Sequence, residues 1–284
     1  MTPHFLLGKL RISLKKLRFP LSFAVIFMCA WLLAAPVNVN ASELSMASAL
    51  GDVPAVRDLL ERGAAPDEAD DEGYTPLLRA AFAGVSRPLS MHTGVMRLLI
   101  EAGADVNASV DILPPDEYNP LRTVSALHRT LSGGAAFLEL TKLLLENGAD
   151  PNQPGAWGRP LHIAAASGEA GAYAVRLLLQ RGARADALNQ WGVEALVEAV
   201  TSPSPQFEKI ALLLEAGSDV NALFDWGGHR EMSVLMAVAM NGTSDIVALL
   251  LYNGALKYLR CGDGLTAYDY AMNAGRIDNV FALW

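Results

Sequence analysis

Cysteine is nearly missing from this chain. Its 284 residues hold two, Cys29 and Cys261. Cys29 falls in an apolar run near the start, so the rest carries one thiol and no possible intrachain disulfide. The core must be stabilised by packing alone. Equally absent are a G-x-S-x-G elbow, a phosphate-cradling glycine loop, a C-x-x-C pair and an H-E-x-x-H helix. The usual signatures of nucleophilic, nucleotide, redox and zinc chemistry are therefore missing, and no cofactor or metal is expected. Positive charge is scarce beyond residue 41: residues 42–284 hold 17 Lys and Arg against 30 Asp and Glu, a net charge of −13. That balance disfavours nucleic acid and anionic lipid as partners and would steer a basic one. Apolar residues are plentiful, and 52% hydrophobic against 18% charged excludes a disordered chain and implies a large core.

The head of the chain has its own pattern. Lys9, Arg11, Lys15, Lys16 and Arg18 precede an uncharged apolar run, Leu21–Ala35, which is followed by Pro36 and the small residues Val39 and Ala41. That order is the layout of a secretory signal cleaved after Ala41, which places the rest of the chain in the periplasm or outside the cell. The alternative is a retained inner-membrane anchor facing the periplasm, because Phe19–Ala35 approaches the length of a spanning helix. Cys29 stands behind the bulky Ile26-Phe27-Met28 and does not suit lipid attachment.

Beyond the leader one phrase recurs six times: LLERGA ending at Ala64, LLIEAGADVNA at 98–108, LLLENGADPN at 143–152, LLLQRGARAD at 177–186, LLLEAGSDVNA at 212–222 and LLLYNGA at 249–255. Its glycines are Gly63, Gly103, Gly148, Gly182, Gly217 and Gly254, spaced by 34 to 45 residues. A second phrase precedes the later copies: Tyr74-Thr75-Pro76-Leu77, Ser125-Ala126-Leu127-His128, Arg159-Pro160-Leu161-His162, Glu194-Ala195-Leu196 and Ser233-Val234-Leu235, with Gly264-Leu265-Thr266-Ala267 near the end. Thr75-Pro76 suits a helix start, since the missing N–H of proline has no intrahelical partner in the first turn. Small pairs such as Ala80-Ala81 and Ala164-Ala165 allow close helix approach. The leucine runs pack a second helix, and the glycine after each run can take the left-handed conformation that ends it. Each unit alone leaves an apolar face bare, so stacking is obligatory.

The two phrases together resemble the ankyrin repeat, a unit of about 33 residues made of a turn and two helices with a T-P-L-H-x-A signature. The resemblance covers residues 42–284. It implies an all-α solenoid of about seven helix-turn-helix units, the first and last partial, with turn or hairpin fingers. The units run over 42–72, 73–107, 119–155, 156–188, 189–223, 224–260 and 261–284. His128 and His162 hold the histidine of the signature, and the resemblance implies hydrogen bonds across adjacent turns for them in place of metal binding.

Extra residues interrupt the period at Val85–Thr93, Ser109–Val124, Thr201–Gln206 and Gly227–Met232. Insertions in solenoids go to loops, often on the binding face, although a tolerant loop also drifts freely. Tryptophan precedes glycine three times, at Trp157, Trp191 and Trp226, with spacings of 34 and 35. The resemblance implies that these positions are exposed turn tips, which would make a ladder of aromatic anchors. The alternative is that the rings fold back as local packing. Asp67, Glu68, Asp70, Asp71 and Glu72 crowd the first inter-unit turn.

The expected function is a non-catalytic, exported module that binds a protein with a basic surface on its concave, finger-lined face. Trp157, Trp191 and Trp226 are the expected anchors, with Tyr74, Asp70 and Asp71 beside them and Asp116, Glu117 and Tyr118 in the longest insertion. Exported bacterial ankyrin proteins include supporters of oxidative-stress enzymes such as catalase and immunity proteins against toxins, and the resemblance leaves both open. The rival from another class is an enzyme whose site is assembled in 109–124 from Asp111, Asp116, Glu117 and Tyr118.

Overall fold

The computed structural model describes residues 43–83, 89–112, 123–168, 170–203 and 205–284. The leader and the insertion residues Asp116, Glu117 and Tyr118 lie outside these. Among the described residues fourteen helices form seven antiparallel-type pairs: α1 (Glu43–Leu50) with α2 (Val53–Glu61), α3 (Pro76–Ala83) with α4 (Leu89–Glu101), α5 (Ala126–Ser132) with α6 (Leu138–Glu146), α7 (Pro160–Ala166) with α8 (Gly171–Gln180), α9 (Ala195–Thr201) with α10 (Phe207–Glu215), α11 (Val234–Asn241) with α12 (Ser244–Tyr252), and α13 (Ala267–Asn273) with α14 (Ile277–Leu283). First helices pack on first helices along the chain, and second on second. The stack is therefore two parallel rows, and each unit is stabilised by its neighbours.

Local chemistry sets the helix ends. Thr266 and Asp269 form a reciprocal cap at α13, with Asp269 Oδ2 accepting from the Thr266 N–H at 2.8 Å. Ser233 Oγ accepts the Met236 N–H at the start of α11, and Pro76 and Pro160 open α3 and α7. All six phrase glycines have φ between +87° and +94°. A side chain there would meet nothing within 4 Å, so the requirement is left-handed backbone and not space. The residue after each of them donates to the carbonyl five positions back at 2.9–3.1 Å, for example Ala183 N to Leu178 O. That bond recovers a carbonyl which the helix end leaves without a partner.

The row of turns is tied across units by the residue four past four of these glycines, Asp67, Asn107, Asn152 and Asn221. Asn107 Nδ2 donates to the Gly148 carbonyl and its Oδ1 accepts from Asp150 N. Asn152 does the same with Gly182 and Arg184, and Asn221 with Gly254 and Leu256. An amide both donates and accepts, whereas a carboxylate only accepts. Asp67 accordingly makes the accepting half alone, from Asp105 N. At Asp186 the rung is replaced: that carboxylate pairs with Arg184 in its own turn, and Glu194 accepts from Asp219 N instead.

The core is the repeated small-plus-leucine pattern made solid. Ala80, Ala164, Ala165, Ala199 and Ala239 are sealed between first helices, and Leu99, Leu144, Leu178, Leu213 and Leu250 between second helices. His128 and His162 are buried with them. His162 Nε2 donates across to the Val193 carbonyl at 3.0 Å, as the resemblance implies. His128 instead contacts Ser125 Oγ at 2.7 Å, within its own turn. Burial pushes both imidazoles down to about 4, so they are neutral at physiological pH.

Two of the expected insertions build ribbons. Ser109–Asp111 (β1) pairs antiparallel with Thr123–Ser125 (β2), at the base of the 109–124 insertion. Leu223–Trp226 (β3) pairs with His229–Ser233 (β4) around Gly227 and Gly228, whose φ values of 62° and 90° make the tight two-residue turn that matches strand twist. The insertion placed at 85–93 is not all loop, because α4 begins at Leu89 and absorbs its second half. No helix among the described residues is long and apolar enough to cross a membrane.

Candidate partner-binding surface

The fingers are braced from below by a pair nine residues apart. In the fifth unit Asn189 Oδ1 accepts from the N–H groups of Trp191 and Val193, at 2.9 and 3.2 Å, which fixes the turn. Its Nδ2 donates to Glu198 Oε1 on α9 at 3.2 Å. The turn that leads into the second unit repeats this with other chemistry: Asp70 Oδ1 accepts from Glu72 N and Tyr74 N, and Asp70 Oδ2 takes the Arg79 guanidinium on α3. In the seventh unit the slot is filled by Cys261 and Tyr270, with Sγ and Oη 3.4 Å apart. Glu198 is almost fully buried, and that desolvation pushes its carboxyl up to about 7, with the single Asn189 bond pulling the other way.

These braces correct several sequence expectations. Asp70 is not free to meet a partner, because it is buried and committed to its own turn and to Arg79. Tyr74 is half-buried, with the Arg79 guanidinium 4.1 Å from its ring centroid and Phe82 edge-on at 5.3 Å. Asp71 is exposed.

The three tryptophans do not form a ladder of exposed rings. Each stands nine residues after its phrase glycine, but the fingers differ in length. The following helix begins at Ala195 in the fifth unit, thirteen residues after Gly182, and at Pro160 in the fourth, twelve after Gly148. One residue short, the fourth finger closes through a bridge between Ala156 and Gly158, and Trp157 joins the core with 4% of its surface accessible. Trp191, on the full-length finger, is 47% exposed. Trp226 sits in the long ribbon of the sixth unit opposite His229 and is half-buried.

Sequence reasoning missed two leucines. Leu188 and Leu223 each stand three residues before an indole that the structure leaves accessible, and they are 53% and 55% exposed. Their common place, six residues after the phrase glycine, was visible in the spacing. Fingers five and six thus present the same two apolar positions in consecutive units: Leu188 with Trp191, and Leu223 with Trp226. The fingers are cross-tied, so the presentation is rigid. Gln190 Nε2 donates to the Ala156 carbonyl, Ser218 Oγ to the Ala185 carbonyl, and His229 Nδ1 lies 2.8 Å from Asp263 Oδ2. Exposed carboxylates rim the patch at Asp186, Asp219, Asp225 and Glu231. Among the described residues no group of three His, Cys, Asp or Glu side chains is placed to hold a metal ion.

Two family profiles of ankyrin repeats match this chain, one of three copies at residues 127–224 and one of many copies at 44–91, together more than half of its length. The chain belongs to the ankyrin-repeat family. Ankyrin arrays are protein–protein interaction modules, typically without catalytic activity. Curated relatives include the ankyrin repeat, SAM and basic leucine zipper domain-containing protein 1 of Homo sapiens and of Gorilla gorilla gorilla, each 30% identical over 117 residues, 41% of this chain and 22% of the relative. The match spans about a fifth of those relatives' length. The human ASB11 ankyrin repeat domain superposes with a TM-score of 0.61 at 24% identity, covering 85% of this chain and 96% of that one. An ankyrin repeat domain from Acinetobacter baumannii AYE superposes with a TM-score of 0.52 at 26% identity, covering 84% and 95%. These likenesses establish the fold.

Proposed function

We propose that this ankyrin array is an exported, non-catalytic binder that grips a protein through fingers five and six. Leu188, Trp191, Leu223 and Trp226 are the anchors, and the surrounding carboxylates select a partner with basic residues beside an apolar contact. The observation that carries this reading is the placing of three exposed apolar side chains, Leu188, Trp191 and Leu223, and the half-buried Trp226 at the same two positions of consecutive, cross-tied fingers. Large accessible apolar groups on a rigid rim cost solubility and are the type that dominates interfaces. Because the fingers are already braced, little ordering entropy is lost on binding. Export is supported by the basic-then-apolar leader, and cleavage after Ala41 would remove none of the described helices, since α1 starts at Glu43. N-terminal sequencing of the protein from fractionated cells tests it.

The binding test is affinity capture from the native envelope with the wild type and with Trp191→Ala combined with Trp226→Ala. Two anchor truncations are expected to lower capture of the bound protein by about 100-fold or more while the circular dichroism stays that of the folded array. Undiminished capture by the folded double variant refutes the finger reading.

A further inference from the structure

Exposed apolar side chains are concentrated at the far end of the stack, away from fingers five and six. On α13, Tyr268 and Met272 lie one turn apart, on α14 so do Ile277 and Phe281, and Trp284 follows directly after the end of α14. All five are exposed, Met272 by 49%, Phe281 by 69% and Trp284 by 91%. The unit before shows what these positions normally meet. Thirty-three residues earlier stand Leu235 and Ala239, both sealed under the seventh unit, at the places of Tyr268 and Met272. Likewise Val247 is buried where Val280 is half-open. At the places of Ile277 and Phe281 the sixth unit has Ser244 and Ala248. The α13 part of this surface thus keeps the apolar character of an inter-unit face, and α14 adds bulk beside it, with Ile277 and Phe281 where the sixth unit has a half-buried serine and an exposed alanine.

The charge distribution indicates the occupant. Residues 42–251 carry 14 basic and 27 acidic groups, but residues 252–284 carry three of each: Lys257, Arg260 and Arg276 against Asp263, Asp269 and Asp278. Two copies of so acidic a molecule repel each other least at this neutral end. The exposed parts of these side chains amount to about 600 Å² of largely apolar surface, so two such faces would bury about 1,200 Å², the lower edge of specific interfaces. We propose that the outer face of α13 and α14 is a self-association surface, on which a second copy of this chain stacks tail to tail about a two-fold axis. Such an interface is isologous: each residue of the patch meets the same patch on the partner. The pairing would leave the finger patches free and present two of them per assembly, which raises avidity for a partner with repeated sites.

Sedimentation velocity of the purified protein from about 1 to 100 μM tests this, a range that brackets the affinity expected of a small interface. A concentration-dependent dimer is expected for the wild type and for Trp191→Ala/Trp226→Ala. Phe281→Glu, and separately Met272→Glu, are expected to sediment as monomers with unchanged circular dichroism, since both sites face solvent within one copy. A wild type that stays monomeric throughout overturns the proposal, and so does a folded Phe281→Glu or Met272→Glu that still dimerises. Loss of capture by the finger variant with dimerisation intact would leave this proposal standing, so the two readings fail separately.

Discussion

Glu198→Gln isolates the cost of the most unusual side chain in the array. Glu198 is buried on α9 and holds the fifth finger through Asn189, and burial raises its carboxyl from 4.5 to about 7. The folded state therefore holds its proton longer than the unfolded chain does. The stability contributed by the neutral form is fully present below pH 4.5 and is lost as pH rises through about 7. A rise of that size corresponds to about 3 kcal/mol between the two ends of the window, at 1.36 kcal/mol per pH unit. Glutamine keeps the carbonyl that accepts from Asn189 Nδ2 and resembles the neutral acid, so the variant should match the wild type near pH 4.5 and exceed it by about 3 kcal/mol at pH 8. The difference between the two proteins is the quantity to follow, because other groups bend the absolute curve. His128 and His162 weaken the fold toward acid. Lys209, buried with its Nζ donating to the Ser167 carbonyl and lowered to about 8, alters the curve above that pH. Urea titrations at pH 5, 6, 7 and 8, with hydrogen exchange of the α9 amides as a local reporter, give the difference directly. A stability gain that does not change with pH would refute the assignment of the effect to ionisation of Glu198.

Trp157→Ala removes a core indole and should cost about 3–5 kcal/mol, whereas Trp191→Ala, at an exposed tip, should lie within about 0.5 kcal/mol of the wild type. Paired denaturant titrations decide this, and equal losses would contradict the burial difference between the two fingers. On the acid side, His128 and His162 are held down to about 4, so the unfolded state takes up protons first and stability falls as pH drops from 6.5 to 4. In Glu198→Gln, where the opposing proton release of Glu198 is removed, the slope of stability against pH near 5.5 should correspond to uptake of about two protons on unfolding, against about one in the wild type, and a flat profile in the variant would show that the imidazoles protonate within the fold.

The architecture was legible because its determinants are local and repeated. A glycine after each leucine run needs positive φ whatever surrounds it, and Thr75-Pro76 or Thr266 starts a helix by its own chemistry, so counting along the chain recovers the helix pairs. The exposure of a finger residue has a different determinant. It depends on the distance to the helix that follows as well as on the distance from the glycine before. Trp157, Trp191 and Trp226 share the second count and differ in the first, and one missing residue in the fourth unit is enough to turn an indole inward. Asp70 misled for a related reason. In a run of five acids nothing local distinguishes the one whose carboxylate is turned back onto Tyr74 N and Arg79, because the brace is completed nine residues away on α3. The same slot holds Asp with Arg, Asn with Glu, and Cys with Tyr in three units, so its constant property is a polar link from turn to helix and not a residue type. A search for pairs separated by nine residues, with the first member seven past the phrase glycine, would have found all three from the sequence. It would also have assigned Asp70 and Cys261 to the scaffold, leaving Leu188 and Leu223 as the side chains whose exposure the scaffold does not explain.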